Sequence, residues 1–181
     1  MKNFETQQQS TLRVFYALWP GDDVRHKLAV LAREVGKQSG GRMVNPEKLH
    51  LTLAFIGTVR SVELDCLVKL AAELPQQSFL LTFDRLGYWP NNGIVWLGCR
   101  QSSQQLEQLV EGLNQALGRR GYRGAGRKFS PHITLARRAN RRPRLKAEPI
   151  EWPITGFSLI KSDLSPNGSA YSMVAQWLAE Q

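Results

Sequence analysis

The chain has 181 residues and a formal net charge of +9, and 42% of its residues are hydrophobic. This length fits one domain, or one domain built from two small lobes, and the apolar content excludes a mostly disordered protein. The sequence contains no run of about 18 apolar residues, which a membrane-spanning helix requires. Its two cysteines are too few for a disulfide framework.

The beginning of the chain is mostly polar and carries no apolar segment like that of a secretory signal. We expect residues 1–11 to be a polar tail and residues 12–181 to form the single folded domain. We also expect a cytoplasmic monomer that has no membrane partner.

The excess positive charge is concentrated in one segment. Between Gly112 and Ala147 there are eleven basic residues and no acidic one, whereas the rest of the chain has thirteen basic and fifteen acidic residues. Such a segment can face a polyanion such as RNA, or it can be a solvated surface. The role of its loop at 138–146 stays open at this point.

The periodicity of the apolar residues predicts an alternation of strands and helices. In chain order, the predicted elements are a strand at 12–18, a helix between Asp22 and Gly40, a strand at 49–56, a helix between Ser61 and Pro75, strands at 79–86 and 94–98 joined as a hairpin, a helix from Ser102 or Ser103 to Gly118, and strands at 132–136, 155–161 and 170–178. A glycine- and arginine-rich loop at 119–128 and a basic loop at 139–149 connect the later elements. This mixture predicts an α+β fold with mainly antiparallel sheet.

Two of the three histidines open the same short pattern. The two tetrapeptides are His50-Leu51-Thr52-Leu53 and His132-Ile133-Thr134-Leu135. Strand alternation places the His and Thr of each on one face and the aliphatic residues on the other. One such tetrapeptide is usually a half-exposed strand, but its repetition with two of three histidines favours a functional site.

Other chemistries find little support in the sequence. Neither Cys66 nor Cys99 lies near the motif histidines, and there is no His-Glu-x-x-His helix, so a zinc site is not expected. A Gly-x-Ser-x-Gly elbow, a Gly-x-x-x-x-Gly-Lys phosphate loop and a dinucleotide-binding glycine pattern are also missing. We therefore expect no metal and no cofactor.

The paired motifs and their flanks resemble the two-histidine phosphoesterase superfamily, and within it the bacterial RNA 2′,3′-cyclic phosphodiesterases, also called 2′-5′ RNA ligases. The segments that carry the resemblance are 13–17, 49–57, 95–98 and 129–135, and the resemblance extends over about 12–178. It implies an α+β fold with two lobes, in which two mainly antiparallel sheets are related by a pseudo-twofold axis. Helices then lie on the outside and the motifs line a central cleft.

The resemblance also implies an activity, which is hydrolysis of an RNA 2′,3′-cyclic phosphodiester to a 2′-phosphomonoester without a metal. It makes His50 the proton donor and His132 the proton acceptor, with Thr52 and Thr134 on the phosphate. One protonated and one neutral imidazole on opposite sides of phosphorus suit an in-line displacement. The residues alone leave the order of the two histidines open.

Three further residues are candidates for the site. Strict alternation after His132 aims Arg137 away from the cleft, whereas the resemblance implies that Arg137 contacts phosphate. Phe15 and Phe129 are candidate platforms for base stacking, and core packing is the alternative for each.

The expected partner is RNA with a 2′,3′-cyclic phosphate end, such as a tRNA fragment, and the same residues could join RNA halves through a reversible 2′-5′ ligation. One alternative is a phosphodiesterase for a small cyclic nucleotide, ADP-ribose cyclic phosphate or a 2′-5′ oligonucleotide. The other is a non-catalytic RNA- or nucleotide-binding module. The basic segment favours longer RNA, and the complete His and Thr set favours an enzyme.

Overall fold

A computed structural model describes residues 10–122, 129–165 and 168–179. Within these ranges the elements are β1 (Thr11–Leu18), α1 (Asp22–Ser39), β2 (Arg42–Met43), β3 (Leu51–Arg60), α2 (Leu64–Ala72), β4 (Phe79–Phe83), β5 (Arg85–Trp89), β6 (Ile94–Gly98), α3 (Gln104–Arg119), β7 (His132–Arg137), β8 (Ile150–Ile154), β9 (Gly156–Ser165) and β10 (Gly168–Leu178). Short 3-10 helices, Pro46–Lys48 and Ser61–Glu63, precede β3 and α2. In the described part of the chain, none of the helices has the length and apolarity that crossing a membrane requires.

The main sheet consists of two antiparallel halves that meet in the middle. Its strand order is β10-β9-β1-β3-β7-β6-β5, and β2 also pairs with β7. The halves are joined by one pair of residues, Leu51 on β3 and Ile133 on β7. A separate two-stranded sheet is formed by β4 and β8. The predicted α+β architecture with two antiparallel lobes is confirmed.

Helix α1 packs against the half of the main sheet that does not contain β1, and α3 packs against the half that does not contain β7. Helix α1 follows β1 in the chain but packs against β7, and α3 precedes β7 but packs against β3 and α2. The hydroxyl of Tyr16 on β1 donates a hydrogen bond of 2.7 Å to the carbonyl of Leu67 on α2. The helices and one face of the sheet enclose the main hydrophobic core. The opposite face, with the motif residues in its middle, is left open to a cleft.

Strand β3 contains a bulge that changes which residues face this cleft. Consecutive residues of β1 pair with Thr52 and Ala54, so Leu53 is an extra residue without a partner. A shift of one residue moves the following side chains to the other face of a sheet. Strict alternation from Leu51 and Leu53 predicts Phe55 in the core, and this prediction is wrong, because Phe55 is 52% exposed on the face that carries His50.

Strand β7 repeats the same irregularity at the equivalent position. Consecutive residues of β6 pair with Thr134 and Ala136, which leaves Leu135 as the extra residue. The bulge turns Arg137 toward the cleft, where simple alternation had aimed it away. The equivalence of the two strands therefore extends beyond the tetrapeptides to residues 50–55 and 132–137. Both segments contain the same bulge, and they differ most at their last residue, which is Phe55 in one and Arg137 in the other.

Several predicted element boundaries need correction. The strand predicted at 79–86 is two strands, β4 and β5, which pair with different partners. Strand β8 was not predicted, because Pro153 interrupts its sequence pattern. In the structure Ile150, Trp152 and Ile154 alternate as buried residues, and Pro153 occupies an exposed position of a two-stranded sheet. Strand β9 ends later than predicted. Most of the predicted tail at 1–11, part of the predicted loop at 119–128 and residues 166–167 lie outside the described residues.

Gly87 on β5 allows the Trp96 side chain of the neighbouring strand to lie flat on the sheet. A Cβ atom at Gly87 would lie 2.1 Å from a ring atom of Trp96, which no small adjustment can relieve. We expect Gly87→Ala to destabilise the protein by about 1–3 kcal/mol, the usual cost of overpacking, in a denaturant titration. A variant as stable as the original chain would show that the indole is not fixed over β5.

Gly118→Ala is the matched control for this substitution. It lies in α3, and its added Cβ would meet no atom within 4 Å. Since alanine favours helix over glycine by about 1 kcal/mol, this variant should be as stable as the original chain or more stable.

Candidate active site

The two motifs meet at the centre of the sheet as an antiparallel pair. Because Leu51 pairs with Ile133, the flanking positions set His50 opposite Thr134 and Thr52 opposite His132. Leu51 and Ile133 are fully buried beneath, so the four polar side chains point to the cleft. The two histidines lie on a diagonal of this arrangement, at a backbone separation of about 7–8 Å. That separation leaves room for a small tetrahedral group between the rings.

Both imidazole rings are oriented by the same backbone contact. The Nδ1 atom of His50 lies 2.7 Å from the carbonyl oxygen of Lys48, and that of His132 lies 2.7 Å from the carbonyl oxygen of Ser130. A carbonyl oxygen can only accept, so each Nδ1 carries the hydrogen and Nε2 is the nitrogen left for chemistry. The Thr52 hydroxyl lies 3.1 Å from Nε2 of His50 and donates to it when the ring is neutral.

Aromatic side chains surround both histidines, with different geometry on the two sides. Trp19 stacks on His50 with ring centroids 5.1 Å apart and planes 2° apart, and Phe15 and Tyr171 contact the same ring at 5.2 and 5.5 Å. His132 instead has edge contacts, with Trp89 at 4.8 Å and Trp96 at 6.5 Å. These aromatic contacts restrict the orientation of both imidazole rings. His50 is consequently the more enclosed of the two histidines.

The environment of His50 disfavours its charged form in the free protein. Burial lowers the pKa of His50 to about 4, the positive charges of Arg137 and His132 act in the same direction, and the hydrogen bond to the Lys48 carbonyl opposes them. At neutral pH the free protein therefore holds His50 as a neutral imidazole.

The cleft above the motifs is large and basic. Its volume of about 940 Å³ is at the upper end of the usual range for small-molecule sites. No acidic side chain is found among the described residues that line it. The basic side chains that line it are Arg13, Arg42, Lys48, Arg137 and Arg138. Such a surface favours an anionic ligand.

A metal site is a separate question from this anion-binding chemistry. Within residues 10–122, 129–165 and 168–179, no three His, Cys, Asp or Glu side chains come together as ligands.

A family model described as the 2′-5′ RNA ligase superfamily matches residues 20–166 of the sequence. The chain belongs to this superfamily. It is 32% identical over 171 residues to the RNA 2′,3′-cyclic phosphodiesterase of Escherichia coli strain K12, an alignment that covers 93% of this chain and 97% of that protein. It is 34% identical over 177 residues to the RNA 2′,3′-cyclic phosphodiesterase of Thermus thermophilus, and this alignment covers 92% of this chain and 89% of that protein.

Comparison with solved structures gives the same result for the fold. Escherichia coli LigT complexed with 3′-AMP superposes with a TM-score of 0.84 at 31% identity, over 95% of this chain and 100% of that one. The resemblance identified from the paired motifs and the predicted two-lobed fold are thus confirmed.

The structure of this superfamily member brings most of the sequence-predicted site residues into one cleft. His50, Thr52, His132, Thr134 and Arg137 all line it. The predicted aromatic residues differ from one another in placement.

Phe15 lines the cleft but is only 3% exposed, and it packs on His50. Phe129 is partly buried against the main core and is not among the cleft residues. Core packing, the alternative considered for Phe129, is what the structure shows.

Sequence reasoning missed the more exposed aromatic residues of the cleft. Phe55 and Tyr171 both line it, and Phe55 is half exposed. The signal for Phe55 was present in the sequence, because it follows His50 by the same five positions that separate Arg137 from His132. Tyr171, Trp19 and Trp89 carried no such signal, since strand pairing alone brings them to the motifs.

The basic loop at 138–146 divides into parts with different surroundings. Arg138 has a positive φ of 57° and lines the cleft. Nε of Arg141 donates a hydrogen bond of 2.7 Å to the carbonyl of Gln38 at the end of α1. Arg142, Arg144 and Lys146 lie on the outer surface of the same loop. One segment of charge in the sequence is therefore not one surface in the structure.

The low pKa of His50 has a consequence for stability. Between pH 6.5 and about 4 the unfolded chain binds a proton at this residue that the folded chain does not, so lowering the pH through this window favours unfolding. We expect His50→Gln to lose less stability than the original chain between pH 7 and pH 5 in denaturant titrations. His26→Gln, at an exposed position of α1, should follow the original chain. Identical pH dependence for all three proteins would contradict this assignment.

Proposed function

We propose that this chain is an RNA 2′,3′-cyclic phosphodiesterase that forms a 2′-phosphomonoester by metal-independent acid–base catalysis. The observation that carries the proposal is the pair of histidines, related by the pseudo-twofold arrangement of β3 and β7. A backbone carbonyl holds Nδ1 of each ring, and both histidines line a basic cleft. Membership of the superfamily and the names of the bacterial relatives support it.

The two histidines act on opposite sides of phosphorus in this mechanism. Nε2 of neutral His132 takes a proton from water as the water oxygen bonds to phosphorus. Protonated Nε2 of His50 gives its proton to the ribose 3′ oxygen as the P–O3′ bond breaks. Each proton transfer contributes about 10²–10⁴-fold to the rate. The second turnover begins after His50 regains and His132 releases a proton.

The remaining polar groups of the cleft bind the phosphoryl oxygens. The hydroxyls of Thr52 and Thr134 lie on the same face as the histidines and can donate to the two non-bridging oxygens. The guanidinium of Arg137, which the bulge in β7 turns toward the cleft, adds a positive charge where negative charge develops. The Lys48 and Ser130 carbonyls hold the two rings in position.

The base of the terminal nucleotide stacks on the aromatic side chains of the His50 lobe. Phe55 and Tyr171 are the platforms that the cleft exposes, and Phe15 supports His50 and Phe55 from below, with centroids 5.2 and 5.9 Å away. Stacking of this kind contributes about 1–3 kcal/mol per base and tolerates any base. A crystal structure of the Escherichia coli relative complexed with 3′-AMP supports the binding of a nucleotide by this chain.

The substrate that this surface fits is an RNA strand with a cyclic phosphate end, including a tRNA fragment. A 5′-hydroxyl of a second RNA strand can replace water in the same step, and the product is then a 2′-5′ phosphodiester. We propose that the chain acts as a monomer in the cytoplasm. The free thiols of Cys66 and Cys99 support this compartment, because reducing compartments keep thiols free.

His50 must change its protonation state when substrate binds. Its pKa of about 4 in the free protein is too low for a proton donor at neutral pH. A bound phosphate anion favours the imidazolium and offsets the charge of Arg137, so the substrate itself raises the pKa of the donor. The stacked Trp19 ring is compatible with a charged imidazole, because a cation is attracted to the face of an indole.

Substitution of the motif histidines tests the proposed chemistry. His50→Ala and His132→Ala should each lower kcat/KM for a 2′,3′-cyclic mononucleotide by at least about 100-fold, since each removes one proton transfer. His26→Ala is the control and should retain full activity, and all three assays should be run with a chelator. Near-normal turnover by either motif variant, or a loss of the original activity in chelator, would rule the mechanism out.

The pH profiles test the role of the substrate in charging His50. Both kcat and kcat/KM should be bell-shaped, and the alkaline limb of each profile reports the loss of the last proton that the two histidines share. Because kcat reports the complex and kcat/KM the free protein, the alkaline limb should lie at higher pH in kcat. Alkaline limbs at the same pH in both profiles would show that substrate does not raise the pKa of His50.

A further inference from the structure

A second basic cavity lies at the outer edge of the sheet, beyond the cleft. It has a volume of about 420 Å³ and is lined by Arg85 and Leu86 of β5, by Arg100 and by Arg142. We call Arg85, Arg100 and Arg142 the distal arginine site. The outer surface of the basic loop, with Arg144 and Lys146, continues from Arg142. Arg85 and Arg100 lie at the open end of the β5–β6 hairpin, and the fold brings Arg142 from the basic loop to them.

Two of these three guanidinium groups are available to an anion. Asp84 accepts a hydrogen bond of 2.9 Å from the backbone N–H of Arg100, and its carboxylate lies 3.6 Å from the Nε of that residue. Within the part of the chain that the structure describes, Arg85 and Arg142 have no carboxylate at ion-pair distance. Arginine binds phosphate oxygens through two parallel hydrogen bonds, so the site suits phosphate groups.

The distal arginine site is connected to His132 by a row of paired residues. His132 pairs with Gly98, and Gly98 pairs with Arg85, so Arg85 lies two strand spacings, or about 10 Å, from His132 on the same face. This distance corresponds to about three nucleotides of a stacked strand, at about 3.4 Å each.

Aromatic side chains lie between these residues, with Trp89 partly exposed and Trp96 only 9% exposed. The Trp96 indole lies across Gly87 and beside Gly98, and the guanidinium carbon of Arg85 is 5.7 Å from its centroid. Trp96 contacts Trp89 at 5.3 Å, and Trp89 reaches His132 at 4.8 Å. A row of indole rings next to guanidinium groups is the usual combination for single-stranded nucleic acid.

The direction of the in-line displacement at phosphorus decides which RNA strand lies on the His132 side of the cleft. Under the proposed function, the entering oxygen approaches beside His132 and the ribose oxygen departs beside His50. The strand that carries the cyclic phosphate is attached to the departing ribose, and its base stacks in the His50 lobe. A strand that supplies a 5′-hydroxyl in place of water must approach from the His132 side, which is where the distal arginine site lies.

We propose that the distal arginine site binds the backbone phosphates of an RNA strand that presents its 5′-hydroxyl to His132. The partly exposed Trp89 stacks on its first base, and the buried Trp96 packs against Trp89. In the reaction, O5′ bonds to phosphorus and gives its proton to His132, while the P–O3′ bond breaks and O3′ takes the proton of His50. The distal arginine site serves the joining reaction alone, because hydrolysis by water does not require it. This inference rests on the proposed function.

The test compares joining with hydrolysis in a single reaction. An RNA with a 2′,3′-cyclic phosphate end is mixed with a second RNA that has a 5′-hydroxyl, and both products are measured. The double variant Arg85→Gln, Arg142→Gln should form at least about 10-fold less joined product, while hydrolysis of the cyclic end changes by less than about twofold. Retained hydrolysis shows that the fold and the cleft are intact.

The matched control is the double variant Arg33→Gln, Arg119→Gln, which removes the same charge from exposed positions on α1 and α3. It should retain both products. An equal loss of joining and hydrolysis in the Arg85, Arg142 variant would overturn the proposal, because the site would then hold the strand that carries the cyclic phosphate. The same loss of joining in the control would also overturn it, since general charge would explain the effect.

If the protein forms too little joined RNA to quantify, a binding measurement tests the distal arginine site instead. A labelled RNA with 5′- and 3′-hydroxyl ends is titrated in a salt series, with 3′-AMP added to occupy the cleft. The distal variant should bind about 10-fold more weakly, and the slope of log affinity against log salt should fall by about 1.4, or about 0.7 for each lost phosphate contact. Equal affinity and slope in both proteins would refute the site. Failure of the original chain to hydrolyse any cyclic phosphate would refute the proposed function instead, and this titration would still decide the site.

Discussion

The cleft depends on the single antiparallel pair between Leu51 and Ile133. Both side chains are fully buried, and both belong to a His-x-Thr segment whose polar residues must then face the other way. The pair joins two otherwise separate halves of the sheet, so the pseudo-twofold axis passes between the two motifs. Each imidazole is held by a carbonyl two residues before it. One packed contact in the core thus sets the positions of four polar groups on the surface above it.

The two bulges then make the halves of the cleft different. After Leu53 the chain turns Phe55 toward the cleft, and after Leu135 it turns Arg137 toward the same space. One lobe therefore presents an aromatic surface for a base, and the other presents a cation for phosphate. The histidines differ in the same sense, because His50 is enclosed by rings while His132 has edge contacts only. A symmetric backbone with unlike side chains is what an acid and a base on opposite sides of one phosphorus require.

The sequence was sufficient for the motifs and for most elements, because both depend on local patterns. The His and Thr pairs, the apolar stripes of the helices and the strand from His132 are all visible in short windows. The bulges, by contrast, are set by the neighbouring strands, so simple alternation misplaced Phe55 and disagreed with the resemblance about Arg137. Strand β8 was missed because Pro153 interrupts it, and Trp19, Trp89 and Tyr171 reach the histidines only through strand pairing. The predicted hairpin brings Arg85 close to Arg100, but no local pattern joins Arg142 to them.

The assignment of His50 as acid and His132 as base is the central claim, and a substrate that needs no acid tests it most directly. A 2′,3′-cyclic phosphorothiolate with sulfur at the 3′ bridging position loses a thiolate. A thiol is far more acidic than an alcohol, as the cysteine pKa of about 8.5 illustrates, so the thiolate departs without a proton. The measurement is the rate of this substrate with His50→Ala and with His132→Ala. We expect the sulfur to restore most of the rate lost by His50→Ala and none of that lost by His132→Ala. Restoration of His132→Ala instead, or of neither variant, would contradict the account.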